Sequence, residues 1–239
     1  NYNTYDAAGN AEVFIINDLS TWYVRRIRDR VGPTAEDAQD KNDAYQTLWT
    51  VLVNYSKVLA PFIPFISDEM YVNLTGGESV HLTDWPGYDD SLIDEKLEKE
   101  MEEARKIVEL VHSKRKEEGI KVRQPLQKVK IQNSKLKIRD EILGVIKDEV
   151  NVKEIGISIG KGSQSVKLDT RVTPELQKEG EAREIVRMIQ EERKNQSTRL
   201  DEKITVILSS WPKEFEDYIK KRALVTNLKK GEKFEIQRS

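Results

Sequence analysis

The sequence contains no cysteine, and only 2 of its 239 residues are histidine. No disulfide, thiol nucleophile or cysteine-ligated zinc site can therefore form. His81 and His112 stand 31 residues apart, outside any His-x-x-x-His spacing, so no metal site is expected. No apolar run approaches the roughly 18 residues that a membrane span requires. The opening string Asn1-Tyr2-Asn3-Thr4-Tyr5-Asp6 has neither the basic nor the apolar region of a signal peptide. A cytoplasmic protein without a membrane partner is the expectation. Glycines in a phosphate-cradling loop are also missing: Gly156, Gly160 and Gly162 surround a strand end with no helix start after it, and read as turn residues. Asp68-Glu69 and Asp89-Asp90 read as solvated helix starts, and no Ser/His/Asp constellation can be assembled. Catalysis has no candidate residue. The initiating methionine is absent as well, which points to a fragment.

Charge is abundant: 34% of residues are charged and 37% hydrophobic, a globular and polar composition. The net charge of −2 argues against nonspecific coating of nucleic acid, but it hides an asymmetry. Residues 1–85 carry a net −6, residues 86–118 a net −4 and residues 119–239 a net +8. The basic half can favour a polyanion that the whole chain does not.

The hydrophobic period divides the chain. At 100° per residue, Ile15, Ile16, Leu19, Trp22 and Tyr23 form one stripe that Arg26 and Arg30 extend, while Arg25 and Arg28 project from the other side. A helix that outruns its core and ends in arginines is the expectation. The chain opens inside this pattern, so a preceding helix of the bundle is expected to be missing. A break at Gly32-Pro33 leads to a second helix over about residues 43–59, with an a/d seam of Tyr45, Leu48, Leu52, Tyr55 and Leu59. Pro61 and Pro64 force a bend, and a third helix stops at Gly76-Gly77. A long charged helix follows over about residues 91–118. From Ile120 the period falls to two, at Val129/Ile131, Ile155/Ile157/Ile159, Val166/Leu168, Ile204/Val206/Leu208 and Phe234/Ile236, with helices between. The expected fold is α+β and multidomain: a helical bundle over 1–86, a connecting helix over 87–119 and an α+β domain over 120–239. No internal repeat is evident.

The remaining chemistry is basic and aromatic. Trp22, Arg25, Arg26, Arg28 and Arg30 offer a stacking surface and guanidinium forks for phosphate, although Trp22 and Tyr23 also read well as core. Lys114, Arg115, Lys121 and Arg123 flank Gly119 and suggest a basic elbow. Arg183, Arg187 and Lys194 share a face of the 174–195 helix, with Arg193 beside them. Residue types alone reach only a nucleic-acid binder.

Longer strings carry a resemblance. Asn17-Asp18-Leu19-Ser20-Thr21-Trp22-Tyr23-Val24-Arg25-Arg26 is similar to a segment of the anticodon-binding helical domain of isoleucine–tRNA ligases, which are class I synthetases. Ala44-Tyr45-Gln46-Thr47-Leu48 and the run from Leu59-Ala60-Pro61-Phe62 to Glu69-Met70-Tyr71 resemble the helices that follow it. Ser79-Val80-His81-Leu82-Thr83-Asp84-Trp85-Pro86 resembles its closing segment. Gly119-Ile120-Lys121-Val122-Arg123-Gln124-Pro125-Leu126 is similar to a junction in these enzymes. Thr173-Pro174-Glu175-Leu176 through Arg193-Lys194 resembles the C-terminal domain of the branch that includes archaeal and eukaryotic cytosolic members. Gln196-Ser197-Thr198-Arg199 departs from that pattern by lacking a glycine and an aliphatic residue. The resemblance implies recognition of isoleucine tRNA through its anticodon stem-loop, with the catalytic and editing domains of a parent chain as partners. ATP and Mg would belong to that parent, because neither His-Ile-Gly-His nor Lys-Met-Ser-Lys-Ser occurs here. The alternative is a structural or protein-interaction module that braces a synthetase.

Overall fold

A computed structural model describes residues 3–134, 137–160 and 162–238. Asn1 and Tyr2 of the N-terminal string lie outside them. The chain divides into two compact units, 1–90 and 91–239, and is α+β.

The first unit is helical. α1 (Thr4–Val13) runs without a break into a π-helical stretch (Phe14–Val24) and α2 (Arg25–Val31); α3 (Ala38–Leu59) and α4 (Pro64–Thr75) follow. The π-helical stretch corrects the expected stripe. A turn closed at i+5 advances less per residue than an α-turn, so positions that align at 100° drift apart. Leu19 is buried, but Ile16 is 50% exposed and Trp22 and Tyr23 are half-buried. Nor does the helix outrun its core, because Ile27 is buried among the arginines. Of the expected seam on α3 only Tyr55 is buried, Leu48, Leu52 and Leu59 are half-buried and Tyr45 is exposed, while Ala44, outside that seam, is buried. Tyr55 donates its hydroxyl to the Ala11 carbonyl at 2.8 Å, and Trp49 donates its indole N–H to Leu74 at 2.8 Å, which fixes α1 and α4 to α3. Pro64 occupies the first turn of α4, and Gly76 ends it with φ of 70°. Asp68 is not merely solvated. It accepts from the Ser79 hydroxyl at 2.7 Å and the Val80 amide at 2.8 Å, and these bonds hold its carboxyl below the usual range.

The second unit is built twice. α5 (Glu95–Glu117), β1 (Leu126–Ser134), α6 (Asp140–Val150), β2 (Val152–Ile159) and β3 (Ser165–Leu168) form one half. α7 (Pro174–Asn195), β4 (Ile204–Leu208), α8 (Glu216–Ala223), β5 (Val225–Lys230) and β6 (Glu235–Arg238) form the other. The sheet orders are β2-β1-β3 and β5-β4-β6; each central strand is parallel to the strand after the short helix and antiparallel to the last. α5, read from the sequence as a connector, packs on α6 and β3 within this unit.

At a constant offset of 78 positions, Ala104 and Ala182, Ile107 and Ile185, Val111 and Ile189, Arg115 and Arg193, and Leu126 and Ile204 are buried pairs. This repeat corrects the expectation that there is none. It was hidden because the match sits in framework positions spaced three or four apart, while the residues between them differ.

Candidate nucleic-acid interface

On the first unit the candidates share one helix but not one role. Arg25 is exposed and donates Nε to the Thr21 carbonyl at 3.0 Å, one turn back. Arg26 is half-buried; Arg28 is exposed, with no ion-pair partner among the described residues. Arg30 has another task. Its guanidinium forks onto the carboxylate of Asp40 at 2.7–3.0 Å, pinning the first turn of α3. That bond raises the Arg30 pKa and lowers that of Asp40. That fork is engaged by Asp40 at the half-exposed surface of the bundle, in a pair that a phosphate would have to displace. Arg25 and Arg28 remain the outward pair, with Trp22 half-buried beneath the same helix.

On the second unit two candidates are corrected outright. Arg115 is fully buried, and its terminal nitrogens donate to the carbonyls of Lys121, Gln124, Val150 and Asn151 at 2.8–3.1 Å. Burial pushes its pKa down to about 10, so it stays charged at neutral pH. Arg193 is 5% exposed and donates to the carbonyls of Glu202 and Arg199 at 2.9 and 2.7 Å, and to Ala223 and Leu200 at 3.4 Å. Burial lowers its pKa too. Neither guanidinium can reach RNA. Each satisfies carbonyls of the loop leaving its own helix and of the end of the short helix that follows, which no neutral side chain with fewer donors could do.

The other cations form a surface cluster. Lys121 and Arg123, on the loop after α5, both face Glu184 of α7, at 3.5 and 3.7 Å. Arg187 meets the same carboxylate at 3.5 Å and Glu191 at 2.6 Å. Arg183 pairs with Glu179 at 2.9 Å, which also holds Lys153 at 2.7 Å. Lys114 pairs with Glu117 at 3.0 Å and Glu118 at 3.7 Å, and Lys194 is exposed. The fold thus brings Lys121, Arg123 and Arg187 together around one carboxylate, a juxtaposition of two segments that the sequence separates by more than 60 residues. Exposed pairs of this kind are weak and exchange partners readily, so a phosphate can compete with Glu184 for them.

Among the described residues no group of His, Asp and Glu is arranged to hold a metal ion, and no helix is long and apolar enough to cross a membrane.

Residues 1–131 match the family described as the anticodon-binding domain of tRNA ligase. The isoleucine–tRNA ligase of Dehalococcoides mccartyi strain 195 is 35% identical over 97% of this chain and 25% of its own length. That of Thermococcus kodakarensis is 38% identical over 74% of the chain and 17% of its own length. That of Chlamydia trachomatis serovar L2 is 47% identical over 62% of the chain and 15% of its own length. The chain spans about a quarter or less of these relatives. It belongs to the family of tRNA-ligase anticodon-binding domains, and its similarity within that family is to isoleucine–tRNA ligases.

Proposed function

We propose that this chain holds the anticodon stem-loop of isoleucine tRNA for a cytoplasmic isoleucine–tRNA ligase and performs no chemical step itself. The observation that carries the reading is the family match over residues 1–131, on a bundle whose first helix turns Arg25 and Arg28 outward. Adenylation and aminoacyl transfer, with ATP and Mg2+, fall to the rest of the parent chain. That assignment is supported by the sequence, in which neither His-Ile-Gly-His nor Lys-Met-Ser-Lys-Ser occurs. The strings from Thr173 to Lys194 support placing the parent in the branch that includes archaeal and eukaryotic cytosolic enzymes.

A bracing role for the second unit is the other reading. It is favoured by Arg115 and Arg193, two candidate cations that are buried and engaged by carbonyls of the unit itself.

Binding of isoleucine tRNA, an anticodon-mutated version and valine tRNA at two salt concentrations separates the two readings. The recognition role requires preference for the intact isoleucine anticodon. It also requires that Arg25→Ala with Arg28→Ala weaken binding about tenfold and lower the salt slope by about 2. Equal, weak binding to all three RNAs, unchanged in the double variant, would sink recognition and leave bracing.

A further inference from the structure

The outward face of β1 carries Lys128 and Lys130, alternating with the buried Val129 and Ile131. Directly across the antiparallel ladder from Lys130 stands Lys167 of β3, so two cations face each other on neighbouring strands. Like charges so placed destabilise a sheet. On its other side Lys130 faces Gly156 of β2, which adds no side chain and leaves the lysine stems room. Together with Asp169 and Arg171 these lysines line a recess of about 220 Å³, several times the roughly 30 Å³ that a water molecule occupies in the liquid.

The counter-charges within reach do not balance the recess. Lys128 pairs with Glu154 at 3.0 Å, and Arg171 with Asp169 at 2.8 Å. The hydrogen bond from the Arg171 side chain, aided by its backbone amide, holds the Asp169 pKa at about 2, so that carboxylate stays ionised and engaged. Neither Lys130 nor Lys167 makes an ion pair among the described residues, although the charge of Lys130 acts on Asp169 and helps to hold its carboxyl down. Four cations thus meet two carboxylates, both already in use.

The second half of the unit shows that the fold does not require this. On β4 the register shifts by one residue at the irregularity between Ile204 and Thr205, so the strand positions that share the face of Lys128 and Lys130 are Thr205 and Ile207, between the buried Ile204, Val206 and Leu208. Opposite Ile207 on β6 stands Glu235, not a lysine. One scaffold is built twice, and only one copy concentrates uncompensated positive charge on its open face.

We propose that the recess formed by Lys128, Lys130, Lys167 and Arg171 holds backbone phosphates of bound RNA, as an anchor on the second unit distinct from the arginines of the first helix. The proposal rests on the tRNA-binding reading above and adds a site to it. Phosphate recognition of this kind fixes position without reading sequence.

The test is titration of isoleucine tRNA into the chain over a salt series, comparing wild type, Lys130→Gln with Lys167→Gln, and Arg25→Ala with Arg28→Ala. The lysine double variant should bind several-fold to tenfold more weakly, and its salt slope should fall by about 1.5–2. The same loss should appear with the anticodon-mutated RNA, because phosphates are common to both. Its melting temperature should hold or rise, since a like-charge pair is relieved. In wild type, saturating tRNA should slow acetylation of Lys130 and Lys167 several-fold, read by mass spectrometry, and this arm does not depend on a variant folding. Unchanged affinity and slope, or unchanged acetylation with tRNA bound, overturns the recess while leaving the tRNA reading intact if the arginine variant is still weakened. A wild-type chain that binds no RNA at low salt overturns both.

Discussion

The two halves of the second unit place an arginine at the same point, yet one is held more firmly than the other. Arg115 sits in a fully closed pocket with four carbonyls within 3.1 Å. Arg193 retains two bonds of that quality and two of 3.4 Å. A second staple widens the gap. Asn151, in the left-handed conformation after α6, donates its side-chain amide to the Val122 and Arg123 carbonyls at 3.1 and 3.0 Å. Its counterpart after α8 is Leu224, with the same positive φ and no side-chain donor. In both halves the carbonyl of that residue accepts the first amide of the central strand, Leu126 or Ile204. The difference teaches which features the fold needs in both copies (an arginine, a left-handed turn, an aliphatic seam) and which one copy alone elaborates.

The largest effect expected from breaking this comparison is Arg115→Met. Methionine fills much of the volume but leaves four buried carbonyls short of a donor, at about 1–3 kcal/mol for each group left wholly unsatisfied. Two of them keep another partner, since the Asn151 carbonyl also accepts from Leu126 and that of Lys121 from Gln124. Relief of the buried charge offsets part of the rest. A net loss of about 3–5 kcal/mol follows, near the upper end for single substitutions, read as a fall in the urea midpoint. Arg193→Met should cost less, about 2 kcal/mol, because two of its bonds are long and the site is slightly open to water. Equal losses in the two variants would show that the number and length of these bonds do not govern the sites.

Both arginines were legible in principle. Arg115 lies four residues after Val111 and seven after Val108, on the apolar seam of α5; Arg193 lies four after Ile189 on that of α7. The Lys114-Arg115-Lys116 run reads as one basic patch only if the helical phase is ignored. Strands were the clearest part of the sequence, because strict alternation at Val129/Ile131 and Ile204/Val206/Leu208 admits little else. The first helix was the least clear, since a π-turn has no residue signature that a 100° projection can register. The placement of the candidate cations was legible in part. Arg25 and Arg28 stay outward, but only the fold brings Lys121 and Arg187 to one carboxylate. Lys128 and Lys130 escaped the sequence reading, which singled out only Val129 and Ile131 on that strand, and Lys167 is 37 residues on and meets Lys130 only through the ladder.

The smallest effect compares the turns themselves. After α5 the left-handed position is Gly119, with φ of 67°; after α7, 78 residues on, it is Ser197, with φ of 51°. An added Cβ at Gly119 would meet nothing within 4 Å, so substitution there tests the backbone alone. A left-handed conformation costs an L-residue roughly 1–2 kcal/mol that glycine avoids, against a loss of chain entropy that glycine incurs. Gly119→Ser should therefore destabilise by about 1 kcal/mol, and Ser197→Gly should stabilise by about 0.5–1 kcal/mol. Exchanging the two residues in one chain should then come out near zero, because the sites lie on separate helices and share no partner, where effects add. Urea midpoints of the two single variants and the double variant check this directly. If Ser197→Gly lowers stability, the Ser197 hydroxyl stabilises its turn by more than the backbone strain costs, and the two turns are not equivalent in energy although they are equivalent in shape.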